Sequence, residues 1–247
     1  MKCGILIVGS LLWDAETKGR ADWRNEHLEI GQMRPVHAPI YYGRKSTSRG
    51  NTFTMTFRRD GRLGVALVVP CKREIEVIDD LVIEARALWK AEAPKSKSGA
   101  IASDWGSVGC LFGNEGARDL LSADWGNQFR RAGGKELSVV TADGQFDIPW
   151  PTDADDAPVE LDIILATATI PEIEQPTAKA VADAWIRQRD GYERYFIENV
   201  RSGIRTADDL HIWARIEEQA PSWLVTADIY TEALTLLRKE AEHIDAD

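Results

Sequence analysis

The residues near the start of the chain with the clearest chemical potential form a short turn. An apolar run over residues 5–8 ends in Gly9-Ser10-Leu11-Leu12. Because Gly9 has no Cβ, the backbone there can approach a ligand closely, and successive amide groups in such a turn can form an anion-binding concavity. The turn is therefore a candidate cradle for a carboxylate or an oxyanion. The alternative interpretation is an ordinary strand-to-loop turn.

A basic, polar segment between residues 41 and 51 carries a second set of candidate groups. Arg44 and Arg49 flank a Ser-Thr-Ser run within it. Guanidinium groups bind carboxylates and phosphates through paired hydrogen bonds, so these two arginines are candidates for holding a substrate carboxylate. Their other interpretation is as surface charges.

A carboxylate that could move protons is found on the helix predicted from about residue 73 to residue 92. Apolar residues recur along it at helical spacing and define a buried stripe. Glu84 lies at the border of that stripe, and Glu92 falls back on it. A carboxyl group shielded from water is suited to proton transfer, so both are candidate acid-base groups. A glutamate at the edge of an amphipathic helix is equally often a solvated flank.

The elements that position these groups are predicted from hydrophobic periodicity. Residues 52–57 alternate in polarity and predict a strand. After a turn at Asp60-Gly61, residues 63–70 predict a second strand, paired with the first as a hairpin. The amphipathic helix must pack against this sheet. Residues 159–169 form the longest predicted strand and are expected to lie at the centre of the sheet.

The order of these motifs resembles the gamma-glutamylcyclotransferase-like superfamily, most closely its ChaC-type glutathione-degrading branch. Gly9, Ser10, Leu11 and Trp13 match the family's Tyr-Gly-Ser-Leu-x-Trp turn, with Val8 in the place of the family tyrosine. The resemblance covers about the first 90 residues of the chain. It implies that the turn binds a gamma-glutamyl group.

The same resemblance implies roles for the basic loop and for the helix. Arg44 and Arg49 match the family's basic loop, which makes them candidates for binding the substrate. Counting on from residues 64–66, which match the family's Gly-Val-Ala, the family glutamate falls close to Glu84. The setting Leu-Val-Ile-Glu replaces the family's Asp-x-Arg-Glu, so Glu92 is the alternative candidate.

The resemblance implies an α+β fold, a small mixed-sheet barrel over residues 1–172 with a C-terminal helical segment over residues 173–247. It implies an enzyme that cyclises a gamma-glutamyl amide, glutathione or a gamma-glutamyl amine, and releases 5-oxoproline without a cofactor. The turn amides would hold the developing oxyanion, and one carboxylate would take a proton from the attacking amine and return it to the leaving nitrogen. The missing tyrosine leaves a second hypothesis, a non-catalytic small-molecule-binding or interaction protein on the same fold.

The composition and the spacing of particular residues limit the kinds of protein and of binding site that remain to be considered. A chain of 247 residues with 44% hydrophobic content can bury a sizeable core. A net charge of -10 argues against nucleic-acid binding, which needs clustered cations. The four histidines show no metal-ligand spacing, so no metal site is predicted. The three cysteines lie in apolar runs and are expected to be reduced, as in the cytoplasm. Neither a signal peptide nor a run of about 18 apolar residues is present, so no membrane partner is expected.

The C-terminal segment shows the 3.6-residue apolar period of helices. Gly203 is expected to end a first helix, Thr206 to cap a second with Asp209 three residues on, and Thr226 to cap a third. These helices could cover the sheet or form the surface of a homodimer. Tyr195, in the first of them, is expected in the core rather than in the wall of a pocket.

Overall fold

A computed structural model describes residues 1–46, 52–173, 175–188 and 192–224, together with the single residue 235. Within these ranges the chain has an α+β fold with seven strands and six α-helices. The strands are β1 (Lys2–Ile7), β2 (Arg34–Ala38), β3 (Ile40–Ser46), β4 (Thr52–Phe57), β5 (Gly64–Glu74), β6 (Gly106–Phe112) and β7 (Ile163–Thr169). The helices are α1 (Arg20–His27), α2 (Ile78–Glu92), α3 (Glu115–Arg131), α4 (Ala178–Gln188), α5 (Tyr192–Arg201) and α6 (Asp209–Gln219).

Five of the strands form one mixed sheet in the order β2-β5-β1-β7-β6, and β3 and β4 form a separate antiparallel pair. The central strand β1 is antiparallel to β5 and parallel to β7. In the described residues the large sheet ends at two edges, β2 and β6, so neither sheet closes into the expected barrel. The mixed α+β class is confirmed.

The predicted hairpin of residues 52–57 with residues 63–70 is wrong. The strand β4 pairs with β3, where Arg44 faces Thr54, whereas β5 lies between β1 and β2 in the large sheet. Consecutive residues in the middle of β5 are buried on both faces, as an internal strand requires. The strand β7 is also internal, but the centre of the sheet is β1 rather than the segment over residues 159–169.

The helix α2 begins later than predicted because β5 continues to Glu74. The carboxylate of Asp80 accepts hydrogen bonds from the backbone N–H groups of Glu76 and Val77 and so stabilises the first turn. Leu88 and Trp89, on the apolar face of α2, are fully buried and belong to the same apolar cluster as the strands of the large sheet. This packing fixes the end of α2, and with it the position of Glu92.

The C-terminal helices pack onto the rest of the chain. The Trp185 indole nitrogen on α4 donates a hydrogen bond to the Phe53 carbonyl oxygen on β4 at 3.0 Å. Trp185, Phe196 and Trp213 are buried within the chain and belong to the same apolar cluster as the core of the large sheet. These aromatic side chains therefore serve the core. A homodimer through the C-terminal helices stays a prediction.

The predicted helix boundaries can be compared where the chain is described. Gly203 has φ +80° and follows the end of α5, as predicted. The Thr206 hydroxyl donates to Asp209 Oδ1 at 2.6 Å at the start of α6. The helix predicted to begin at Thr226 lies outside the described residues. Every helix in the described ranges is too short or too polar to cross a membrane.

Candidate functional site

A cavity of about 540 Å³ lies between the end of β1, the β3–β4 pair and the helices α2 and α5. Its volume lies in the range that accommodates small-molecule ligands. The residues around it include Gly9, Ser10, Leu11, Arg44, Glu92 and Tyr195. The cavity therefore collects most of the groups that the sequence predicted to act together.

The turn after β1 forms a single 3-10 turn over Gly9–Leu11 in which Gly9 has φ +69°. The Asp14 N–H group donates to the Ser10 carbonyl oxygen at 2.9 Å. On α1, Arg24 donates to the Leu11 carbonyl oxygen at 2.8 Å. These contacts hold the backbone of the turn in place beside the cavity. The predicted binding residue Leu12 follows the turn and is not among the residues that line the cavity.

A buried arginine, Arg20 at the start of α1, links the turn to the end of α2. Its Nη1 donates to Ser10 Oγ at 3.1 Å and to Asp14 Oδ2 at 2.9 Å. Its Nε donates to the Ala91 carbonyl oxygen at 3.1 Å, and its Nη2 lies 3.5 Å from Glu92 Oε2. Arg20 is only 6% exposed, and it also lines the cavity. Sequence reasoning missed Arg20 because no motif surrounds it.

The carboxylate of Asp14 provides the charge that balances Arg20. Burial alone would raise the pKa of Asp14, but hydrogen bonds from Thr17 and the positive charge of Arg20 outweigh it and lower that pKa. Asp14 is therefore ionised at neutral pH and accepts the Thr17 hydroxyl hydrogen bond at 2.6 Å. Arg20 thus lies between two carboxylates, one in the loop after the turn and one at the end of α2.

The two candidate glutamates lie in different places. Glu92 is the last residue of α2 and lines the cavity, with 17% of its side chain exposed. Glu84 lies outside the lining and is buried in an ion-pair cluster, with Oε2 at 2.8 Å from His27 Nδ1 and Oε1 at 3.0 Å from Arg73 Nε. Two turns of helix separate the two residues, a rise of about 12 Å. Counting from the family motif selected Glu84, whereas the geometry brings Glu92 to the turn.

The basic loop contributes one described arginine to the cavity. The Arg44 guanidinium carbon lies 4.5 Å from the ring centre of Trp105, a cation–π contact that orients the side chain. Trp105 in turn lies on Trp89 of α2, with ring centres 5.0 Å apart. Arg44 therefore lies on a partly buried tryptophan that is itself supported by the buried Trp89. The other predicted clamp, Arg49, lies outside the described residues.

The C-terminal helix α5 supplies a further wall of the cavity. Tyr195 is 4% exposed and lines the cavity, and its hydroxyl accepts a hydrogen bond from the Met55 N–H group at 3.1 Å. Asn199, one turn later, accepts a hydrogen bond from the Trp13 indole nitrogen at 2.8 Å. The helix therefore contacts the segment that follows the turn as well as the cavity. The periodicity of α5 predicted a core position for Tyr195, and it could not reveal the second role.

Replacing Gly9 with alanine is expected to destabilise the protein by about 1–2 kcal/mol, and by more where the neighbouring side chain cannot move. The added Cβ would lie 2.8 Å from the Tyr195 hydroxyl oxygen, on a backbone with φ +69°. Urea unfolding measures the change in free energy. The control is Gly133→Ala, where φ is +75° but no atom lies within 4 Å of the added carbon. Equal losses in both variants would show that the contact with Tyr195 is unimportant.

In the described part of the chain, no group of three or more His, Cys, Asp or Glu side chains is arranged to hold a metal ion. The comparisons with known proteins give no family assignment: no family model, curated protein or solved structure matches the chain. The chemistry of the cavity is therefore the basis for assigning a function.

Proposed function

We propose that this protein is a gamma-glutamylcyclotransferase-like enzyme that cyclises a gamma-glutamyl amide and releases 5-oxoproline. One observation carries the proposal: the turn over Gly9–Leu11 and the Glu92 carboxylate line the same cavity, and Arg20 contacts both. Cyclisation of an amide by its own amine needs support for an oxyanion and a proton carrier at one carbonyl group. The backbone amides of the turn can support the oxyanion, and the Glu92 carboxylate can carry the proton.

The proposed reaction runs through two proton transfers on Glu92. The carboxylate accepts a proton from the substrate α-amino group as its nitrogen attacks the γ-carbonyl carbon. The tetrahedral intermediate places its negative oxygen against the backbone amides of residues 9–11. Collapse then breaks the original amide bond while Glu92 returns the proton to the leaving nitrogen. The products are 5-oxoproline and a free amine, and every proton is accounted for.

Arg20 acts in this proposal as a positioning residue. Its ion pair holds the Glu92 carboxylate near Ser10, and its second carboxylate partner, Asp14, balances its charge. Because the arginine is buried and donates along three directions, the distance between the turn and the end of α2 is set by a rigid planar group. Arg44, held on Trp105, is the proposed partner for a substrate carboxylate.

Tyr195 is proposed to contact the bound substrate. Its hydroxyl lies close to Gly9 in the cavity wall, where it accepts the Met55 N–H hydrogen bond. A tyrosine hydroxyl can act as a donor as well as an acceptor. A donor at that position adds to the amides that face the substrate carbonyl oxygen. The hydroxyl lies on α5, a helix that is far from the turn in the sequence.

Replacing Tyr195 with phenylalanine is expected to lower kcat/KM for 5-oxoproline release about 10- to 100-fold, the usual effect of losing one hydrogen bond to a charged oxygen. The change also removes the acceptor of the Met55 N–H group, so the midpoint of thermal unfolding is measured on the same samples. The matched control is Tyr41→Phe, since Tyr41 is also buried but lies outside this cavity. A fall in thermal stability with unchanged kcat/KM would limit Tyr195 to a structural role.

The finer parts of the family resemblance belong to the same proposal. We infer that residues 1–172 form the catalytic domain with the family's arrangement of strands, that the substrate is a carboxylate-bearing small molecule, and that the protein works in the cytoplasm. The α+β fold and the position of the turn after the central strand support the first of these inferences, and Arg44 at the cavity supports the second.

The direct test is to incubate the full chain with a panel of gamma-glutamyl compounds and to measure 5-oxoproline. The panel contains glutathione, gamma-glutamyl amino acids and gamma-glutamyl amines, and α-glutamyl dipeptides are the negative controls. Release from a gamma-glutamyl compound alone supports the proposal. Saturable binding of a compound by calorimetry, with no release of 5-oxoproline from any of them, would favour the second hypothesis of a non-catalytic binding protein.

A further inference from the structure

Two of the three cysteines lie next to each other on neighbouring strands. Gly4 of β1 faces Pro70 of β5, and Cys3 and Cys71 are the next residues on the two strands, where the regular pairing is interrupted before Lys2 faces Glu74. Facing residues of a regular antiparallel pair have Cα atoms about 4.5–5.5 Å apart, and a disulfide needs a Cα separation of about 4.4–6.8 Å. Two cysteines that adjoin a facing pair are therefore candidates for a disulfide.

The two thiols also interact directly. A hydrogen bond with Cys3, together with burial and the nearby charge of Glu84, raises the pKa of the Cys71 thiol well above its usual value. The Cys71 thiol is therefore protonated at neutral pH, and its attack on another disulfide proceeds slowly, through a small thiolate fraction.

A second cavity lies beside the two cysteines. Cys3 and Cys71 both line this cavity, which has a volume of about 260 Å³; Cys71 is partly buried and Cys3 is buried. Cys110 is also buried but does not line this cavity, and burial raises the pKa of its thiol. Position at this cavity therefore selects Cys3 and Cys71 from the three cysteines of the chain, and the partly buried Cys71 is the one that an external reagent meets first.

We propose that Cys3 and Cys71 are a thiol pair that is oxidised to an intramolecular disulfide by low-molecular-weight disulfides. The Cys71 thiolate attacks one sulfur of the reagent and expels the first thiol, which leaves a mixed disulfide. The Cys3 thiolate then attacks the Cys71 sulfur and expels the second thiol. Two protein thiols are oxidised, one reagent disulfide is reduced to two thiols, and the two protons pass to the leaving groups. Neither cysteine lines the first cavity, so the proposal is independent of the proposed function.

The test uses the reduced full chain and 2-hydroxyethyl disulfide, a reagent without a gamma-glutamyl group. After incubation over hours, unreacted thiols are alkylated and a non-reducing digest is analysed by mass spectrometry. We expect a peptide cross-linked through Cys3 and Cys71, which dithiothreitol releases. The cross-link should form equally in Cys110→Ala and be lost in both Cys71→Ser and Cys71→Ala. Near-ultraviolet circular dichroism verifies that each variant is folded.

Three results would overturn the proposal. The first is complete alkylation of all three cysteines in folded wild-type protein after prolonged exposure to the reagent. The second is a mixed disulfide on Cys71 that persists without attack by Cys3. The third is a cross-link that includes Cys110 or that forms only in denaturant. Because the reagent is not a substrate candidate, none of these results depends on whether the chain releases 5-oxoproline.

Discussion

Glu92→Gln is expected to lower the rate constant for 5-oxoproline release by about 10²- to 10⁴-fold, the range for loss of a general acid-base group. Glutamine has nearly the same shape and can still accept a hydrogen bond from Arg20, which lies 3.5 Å from the carboxylate in the wild type. It cannot take up the proton of the attacking amine. The measurement is kcat under saturating substrate, with substrate binding followed by calorimetry to show that the cavity remains intact.

The matched control is Glu84→Gln, a change on the same helix but outside the cavity. We expect this variant to retain kcat and to lose stability, because His27 and Arg73 lose the charge that they contact. The loss should be about 1–3 kcal/mol, below the range for fully buried pairs, since the Arg73 side chain is 43% exposed. The reverse result, with release abolished in Glu84→Gln and retained in Glu92→Gln, would assign the acid-base role to Glu84.

The second large effect is a dependence of stability on pH that arises from Asp209. Burial raises the pKa of this carboxyl group from 3.8 to about 7, although hydrogen bonds from Thr206 and Tyr42 and the charge of Arg205 oppose the rise. Below pH 3.8 the group is protonated in the folded and the unfolded chain, so it has no effect on stability. Between that pH and about 7, only the unfolded chain releases the proton, so stability falls as pH rises. A shift of about three units corresponds to a loss of about 4 kcal/mol.

Asp209→Asn is therefore expected to be more stable than the wild type at pH 8, by up to about 4 kcal/mol, and similar to it at pH 4. The amide oxygen can still accept the Thr206 hydrogen bond that Asp209 Oδ1 accepts at 2.6 Å. Urea unfolding at a series of pH values gives the free energies. The control is Asp208→Asn, a neighbouring carboxylate on the surface that pairs with Arg62. A variant whose stability differs from the wild type by the same amount at every pH would contradict the assignment.

The parts of the site that the sequence predicted are those with local signals. The turn at Gly9 comes shortly after a buried strand and begins with a residue that has no side chain, and Glu92 lies on the apolar stripe of a single helix. The position of Glu92 relative to the turn could not be predicted from the sequence. It depends on how α2 packs and on the length of β5, which delays the start of that helix.

The parts that the sequence did not predict depend on contacts between distant segments. Arg20 stands in a polar stretch that resembles any surface segment, and only the fold shows that it is buried between two carboxylates. The predicted partner of β4 was wrong because the alternation of polar and apolar residues predicts that a strand exists, but not which strand it pairs with. Tyr195 fits a core stripe equally well whether or not a cavity reaches its hydroxyl.

The contacts made by α5 have a consequence for the order in which the candidate site is assembled. Asn199 bonds to Trp13 across 186 positions of sequence, and Tyr195 bonds to Met55 across 140. During synthesis, the turn, the basic loop and Glu92 emerge from the ribosome long before this helix does. A nascent chain that has emerged only as far as β7 still lacks the Tyr195 wall of the site. The proposed catalytic site is therefore complete only after α5 has been synthesised.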